Sequence, residues 1–178
     1  MGAETFVLAM LVNNQAGVLT RVSSLFGRRG FNIDSLSVGE TEDSRVSRIT
    51  IQTSGDDRVR EQIVRQLEKL HDVRTVTVME LDRTVLRELM MVKVQAGPDQ
   101  LAQVQEAVKV FRAKIVDLTP STIIAEITGE KTKLDAFIAY LAPYGVTELC
   151  RTGLTAIGRG EYKLHQQQKE QTHGDDVL

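Results

Sequence analysis

The chain has 178 residues, of which 42% are hydrophobic and 26% are charged, as in an ordinary soluble globular protein. Its formal net charge of −2 provides no general attraction to nucleic acid or to an anionic membrane. Trp is absent and the aromatic fraction is 4%, which also disfavours a base-stacking surface. The length allows one domain or two small ones.

The single cysteine and the absence of targeting segments favour a reducing location. Cys150 follows Leu149 in an apolar segment, so we expect a buried, unreactive thiol. No run of about 18 apolar residues predicts a transmembrane span. The N-terminus also lacks the basic region and long apolar core that are typical of a secretory signal. A cytoplasmic protein is therefore expected.

The most informative segment joins the first predicted strand to the first predicted helix. Phe6 to Val12 is a short apolar run that predicts a buried strand, and Leu19 to Gly27 has apolar residues at helical spacing. Between them, Asn14 and Gly17 predict a tight turn. The first N–H groups of a helix carry the positive end of its dipole, and glycine lets a ligand approach the backbone. The loop therefore suits a carboxylate or phosphate, although a plain strand-to-helix turn has the same pattern.

The remainder of the first half predicts three more strands and one more helix. The strands are expected at Phe31 to Val38, Val46 to Thr53 and Val73 to Leu81. The helix follows Ser54, with Asp56 as its cap. We interpret the acidic stretch Gly39 to Ser44 as a solvated hairpin loop, because no ordered spacing of metal ligands accompanies it.

The second half repeats the same order of elements. Residues 82–88 are charged and break the strand pattern, so we place the domain boundary there. The elements predicted beyond it are strands over 89–95, 114–118, 122–128 and 146–150, the last with a possible continuation over 154–157, and helices that begin at Pro98 and at Lys131.

The predicted fold class is therefore α+β, with two tandem ferredoxin-like βαββαβ domains. The first spans residues 1–81 and the second 82–160. In each, one antiparallel sheet should carry both helices on one face. Residues 161–178 form a polar tail that we predict to be disordered. Its histidines, His165 and His173, are too far apart to predict a metal site.

No known catalytic motif is present in the sequence. A strand-to-helix phosphate loop with Asn14 and Arg21 would be conceivable in a small phosphatase of this fold. We disfavour it because Arg21, one turn into the helix, is expected to point away from the helix start. A binding role is favoured instead.

An amino acid fits the loop chemically. Its carboxylate would accept hydrogen bonds from the N–H groups of Gly17, Val18 and Leu19. Its ammonium would need oxygen acceptors from Asn14 or Asn32, and we expect Asn32 to reach the same pocket. In the second half, Val94 precedes Gln95 where Asn14 precedes Gln15, so only the first domain is equipped for this role.

Segments in both halves carry a more specific pattern. They are Asn14-x-x-Gly17-Val18-Leu19-Thr20-Arg21-Val22, Arg29-Gly30-Phe31-Asn32-Ile33-Asp34-Ser35-Leu36, Ser47-Arg48-Ile49-Thr50-Ile51, Glu88-Leu89-Met90-Met91-Val92-Lys93-Val94 and Phe111-Arg112-Ala113-Lys114-Ile115-Val116-Asp117-Leu118. This pattern resembles the amino-acid-binding ACT domain. More narrowly, it resembles the small regulatory subunits of acetolactate synthase (acetohydroxyacid synthase), over roughly residues 4 to 160.

The resemblance implies a non-catalytic subunit with no cofactor or metal of its own. Such subunits bind a large catalytic subunit, which carries thiamine diphosphate, Mg²⁺ and FAD. They raise its activity and confer feedback inhibition by valine in branched-chain amino acid biosynthesis, including that of isoleucine.

In that family the effector lies between the ACT domains of two chains, so a homodimer is implied. The effector-binding residues carried over by the resemblance are Asn14, Gly17, Val18, Leu19, Asn32 and Ile33. A free-standing ACT-type amino-acid sensor that regulates another protein stays open as the alternative.

Overall fold

The structure, a computed structural model, describes residues 4–164, which form two compact units. The first unit comprises residues 4–84 together with 158–164, and the second comprises Val85–Ile157. Most of the predicted tail, with His165 and His173, lies outside the described residues.

The first unit has the predicted βαββαβ order. Its elements are β1 (Glu4–Asn13), α1 (Val18–Arg28), β2 (Ser35–Glu40), β3 (Val46–Gly55), α2 (Asp57–Glu68) and β4 (Val73–Val78), followed by a 3₁₀ turn at Leu81–Arg83. The four strands form one antiparallel sheet in the order β2-β3-β1-β4. Asp56 caps α2 as predicted, because its side chain accepts a hydrogen bond of 2.8 Å from the Val59 N–H.

One face of this sheet carries both helices. Alternate residues of β1 point into the core, because side chains along a strand alternate between its two faces. They pack against the apolar stripes of α1 and α2. The most buried members of this core are Leu8, Met10, Val12, Val22, Phe26, Ile49, Ile51, Ile63, Leu67 and Val73. The packing fixes α1 against the sheet, and with it the loop that precedes α1.

The second strand begins later than predicted. Phe31 and Ile33 lie in the turn before β2, yet their side chains pack against the core. The turn is closed by a 3.0 Å hydrogen bond from the Phe31 N–H to the Phe26 carbonyl. Burial of these two apolar side chains therefore follows from the turn, whereas the sequence pattern attributes it to a strand.

The second unit repeats the fold. Its elements are β5 (Thr84–Gln95), α3 (Pro98–Val110), β6 (Lys114–Leu118), β7 (Thr122–Gly129), α4 (Lys131–Leu141), a 3₁₀ turn at Ala142–Tyr144, β8 (Val146–Arg151) and β9 (Thr155–Gly158). The strand order is β6-β7-β5-β8, and β9 also pairs with β5. The prediction of two βαββαβ domains in an α+β fold is confirmed.

Two predictions for the second half were wrong in detail. Strand β5 begins at Thr84, inside the stretch that was predicted to separate the domains. The strand starts this early because β9 pairs with β5. Thr155 Oγ1, on β9, also donates a hydrogen bond to the Arg87 carbonyl on β5 at 2.9 Å. Cys150 is exposed, whereas a buried thiol was predicted. Cys150 on β8 lies opposite Met91 on β5. Since the neighbouring residue Val92 points into the core, Met91 and Cys150 point to the other face of the sheet.

The chain returns to the first unit after β9. The Arg159 N–H donates to the Arg83 carbonyl at 2.7 Å, and the Arg83 guanidinium carbon lies 4.6 Å from the centroid of the Tyr162 ring. Residues 158–164, which we call the return segment, are thus placed against the end of the 3₁₀ turn. The polar tail was predicted to begin at residue 161, so this segment includes the first residues of that range.

Candidate functional site

The loop between β1 and α1 is held from both sides by backbone hydrogen bonds. The Asn13 N–H donates to the Asp72 carbonyl at the start of β4, and the Asn14 N–H donates to the Arg45 carbonyl before β3, both at 2.8 Å. The loop and the start of α1 therefore lie at the end of the sheet where β1 finishes, and the first residues of β3 and β4 lie on either side of β1 there.

Helix α1 begins with free N–H groups. Gly17 is its N-cap residue, with a left-handed φ of +84°, and no side chain caps the helix. Within residues 4–164 the N–H groups of Gly17, Leu19 and Thr20 donate to no carbonyl, and that of Val18 reaches the Gln15 carbonyl only at 3.4 Å. The positive end of the helix dipole is therefore open to an anion.

The Asn14 side chain has a defined orientation. Its amide nitrogen donates to Glu40 Oε1 at 3.0 Å and to the Ser44 carbonyl at 2.8 Å. Because both partners are acceptors, the NH₂ group faces them and the amide oxygen faces away. Within the described residues that oxygen accepts no hydrogen bond, so it is available to a cationic group.

The loop that orients Asn14 is itself fixed by an ion pair. Arg45 donates from its side chain to both carboxylate oxygens of Asp43, with distances of 2.8 to 3.2 Å, and its backbone N–H adds a bond of 2.9 Å. These hydrogen bonds lower the pKa of Asp43 to about 2. Asp43 is thus ionised at neutral pH and holds the segment that contacts Asn14.

Arg21 lies beside the loop, contrary to the prediction. Its Nη1 atom lies 3.1 Å from the position that a Cβ on Gly17 would occupy, and its Nη2 atom lies 2.6 Å from Asp72 Oδ2. Side chains in a helix lean toward its N-terminus and reach the residue four positions earlier. That rule, applied to Arg21 and Gly17, is the signal by which the sequence analysis could have found this residue.

Asn32 lies at the other end of the sheet. Its carbonyl accepts a 2.6 Å hydrogen bond from Thr53 Oγ1 on β3, whereas Asn14 is bonded to Arg45, just before β3. Eight residues separate these two partners, which corresponds to roughly 25 Å along an extended strand. The prediction that Asn32 reaches the pocket of Asn14 is therefore wrong within one chain.

The other predicted residues contribute in different ways. The Val18 side chain is buried in the core, so only its backbone faces the loop, while Leu19 is 42% exposed on the first turn of α1. Ile33 packs partly against the core near Asn32. One chain therefore brings together the Asn14 oxygen, the start of α1 and Arg21, and leaves Asn32 and Ile33 on a separate surface.

Residues 4–164 contain neither a cluster of metal ligands nor a membrane-spanning helix. No group of three His, Cys, Asp or Glu side chains lies close enough to hold a metal ion. Among the same residues, no helix combines the length and apolar character needed to span a membrane.

Comparison with known families decides the assignment. A family described as an AHAS small subunit-like ACT domain matches residues 8–75, and one described as the small subunit of acetolactate synthase matches residues 87–160. A probable acetolactate synthase small subunit of Methanothermobacter thermautotrophicus is 46% identical over 161 residues, which cover 90% of this chain and 96% of that protein. The chain belongs to the acetolactate synthase small-subunit family.

Other relatives support the same assignment. The acetolactate synthase small subunit of Mycolicibacterium smegmatis is 46% identical over 159 residues, which cover 89% of this chain and 94% of that protein. The crystal structure of the small subunit from Thermotoga maritima has a TM-score of 0.83 and 40% identity, and covers 89% of this chain and 99% of that one. The similarity spans both units of this family member.

Proposed function

We propose that this chain is the regulatory subunit of an acetolactate synthase and binds valine as a feedback effector. The observation that carries the proposal is that the two small-subunit family matches, over residues 8–75 and 87–160, follow one another along this chain. The effector role is supported by the open helix start at Gly17 and the unoccupied acceptor of Asn14.

The loop is complementary to the charged groups of a free amino acid. The carboxylate would accept hydrogen bonds from the N–H groups of Gly17 and Leu19, where the helix dipole favours negative charge. The ammonium would donate to the Asn14 amide oxygen, which Glu40 and Ser44 orient. A branched aliphatic side chain would bury its methyl groups, each worth about 0.8 kcal/mol, against exposed apolar surface such as Leu19.

A homodimer would complete this pocket. Asn32 and Ile33 lie far from Asn14 in the same chain, so they can contribute only if a second chain brings its own copies to the loop. In such an arrangement each pocket holds Asn14, Gly17, Val18 and Leu19 of one chain and Asn32 and Ile33 of the other.

The catalytic chemistry belongs to a partner in this proposal. A large subunit in the cytoplasm would hold thiamine diphosphate, Mg²⁺ and FAD, and this chain would raise its activity. Valine, a product of the branched-chain pathway, would reverse that activation when it binds.

The test is co-purification followed by an activity assay. Tagged chain should capture a large thiamine-dependent subunit, raise its acetolactate synthase activity and make that activity sensitive to valine. Binding of valine by the isolated chain without capture or activation of such a subunit would instead support a free-standing amino-acid sensor. Calorimetry that detects no heat with valine, leucine or isoleucine would contradict the effector role.

A further inference from the structure

The Arg21 side chain adds a cation to the positive end of α1. Its Nη1 atom lies 3.1 Å from the Cβ position of Gly17, and its side chain is 49% exposed. The first turn of α1 contains no acidic residue that would offset this charge. A cation near a helix N-terminus is unfavourable without a compensating anion, because it adds to the dipole's own positive charge.

Asp72 compensates this charge from one side only. Its carboxylate lies 2.6 Å from Nη2 of Arg21, and its own carbonyl accepts the hydrogen bond from the Asn13 N–H. The ion pair is thus tied to the end of β1 and holds the guanidinium beside Gly17. A guanidinium carries five N–H donors in a rigid fork, so pairing with Asp72 through Nη2 leaves donors for a second acceptor.

From this geometry we infer that Arg21 binds the carboxylate of the effector, together with the N–H groups at the start of α1. The inference rests on the proposed function, and it assigns the charge recognition in that pocket to a specific side chain. Asp72 acts as a positioning residue that holds the guanidinium. Hydrogen bonds between charged partners are among the stronger ones, so Arg21 should dominate selection for a free carboxylate.

Two matched variants separate this role from that of a structural ion pair. Arg21→Gln removes the guanidinium, while Asp72→Asn breaks the same ion pair but keeps the guanidinium. Each full-length variant is titrated by calorimetry with valine and with valinamide, which has no carboxylate. Thermal unfolding monitors the fold of each.

Arg21→Gln should weaken valine binding by about 10- to 100-fold. Its valinamide binding should stay within about threefold of that of the unaltered chain, so the preference for valine over valinamide collapses. Asp72→Asn should retain that preference, because the amide oxygen of the new side chain can still accept a hydrogen bond from the guanidinium and hold it beside Gly17. In the unaltered chain, the Arg21 Nε–H signal in NMR spectra should shift on addition of valine and move far less with valinamide.

Four results would overturn the inference. Equal losses for valine and valinamide in Arg21→Gln would reduce Arg21 to a structural role, and so would an Arg21 signal that valine does not move. If Asp72→Asn loses the preference as fully as Arg21→Gln, the ion pair rather than the guanidinium is responsible. If the unaltered chain binds none of valine, leucine and isoleucine, the effector role fails and the inference fails with it.

Discussion

Gly17 is the residue around which the candidate site is built. At φ +84° a side chain costs about 1–2 kcal/mol, because Cβ crowds the following carbonyl. A Cβ would also approach Arg21 Nη1 to 3.1 Å. Glycine thus keeps the helix start open and leaves room for the guanidinium beside it.

The substitution Gly17→Asp should abolish valine binding by the isolated chain. The new carboxylate would occupy the place of the effector's own and would pair with Arg21. Calorimetry with valine measures the loss. Gly153→Asp is the matched control, since Gly153 has a φ of +86° but lies in the loop between β8 and β9 of the second unit. It should lose similar stability and still bind valine; binding retained by Gly17→Asp would contradict the proposed orientation.

The Asp43–Arg45 pair gives a prediction for pH dependence. The pKa of Asp43 is lowered from 3.8 to about 2, chiefly by the side-chain hydrogen bond from Arg45. A lowered pKa means that the pair stabilises the fold above about pH 3.8 and that this contribution is lost as the pH falls through about 2. NMR titration of the Asp43 carboxyl should give a midpoint near 2. In Arg45→Gln the midpoint should rise toward 3.8, and an unchanged value would exclude Arg45 as the cause.

Some residues of the site could be predicted from the sequence and others could not. Asn14 and Gly17 are visible as turn residues between two strongly periodic segments. The position of Arg21 on the polar face of α1 predicts a side chain that points away from the loop. Its guanidinium nevertheless reaches Gly17, because side chains in a helix lean toward the N-terminus. Glu40 was interpreted as part of a solvated loop, since its contact with Asn14 depends on the pairing of β2 with β3. Long-range pairing of this kind is not encoded in local spacing.

At the scale of elements, helices were predicted more closely than strand ends. Helix α4 (Lys131–Leu141) begins at the predicted residue, because its apolar residues repeat at helical spacing over three turns. Strands β2 and β5 begin elsewhere than predicted. A strand extends as far as a partner pairs with it, and that partner is distant in the sequence, as for β5 and β9.

The return segment provides a prediction at this scale. Tyr162→Ala should lower the free energy of unfolding by about 0.5–1 kcal/mol, because the Arg83 guanidinium loses the aromatic face 4.6 Å away. Chemical denaturation measures the change. Tyr162→Phe is the control: it keeps the ring and removes only hydroxyl contacts of 3.4 and 3.5 Å, so it should be close to neutral. Equal losses in both variants would assign the contribution to the hydroxyl.

At the scale of the whole molecule, the positions of Asn14 and Asn32 decide how many chains the proposed effector site requires. The register of β3 places Asn14 and Asn32 at opposite ends of one sheet. A site that uses both therefore needs two chains. In a symmetric dimer such sites come in pairs, each with Asn14 from one chain and Asn32 from the other.

Mixed dimers test this arrangement directly. Homodimers of Asn14→Ala and of Asn32→Ala should each bind valine weakly, because every site lacks one amide. A mixed dimer, isolated by two different affinity tags, should regain one intact site and hence about half the valine stoichiometry of the unaltered dimer. Its calorimetric affinity should match that of the unaltered protein.

The matched control pairs an Asn14→Ala chain with a chain that carries both substitutions. This dimer has no site with both amides, although it passes through the same tags and purification. It should remain a weak binder. If the Asn14→Ala and Asn32→Ala mixed dimer is equally weak, the two asparagines do not share a site across chains. If valine binding recovers only in the mixed dimer of Asn14→Ala and Asn32→Ala chains, each effector molecule is held by two chains at once. One chain alone cannot place both amides within reach of one amino acid.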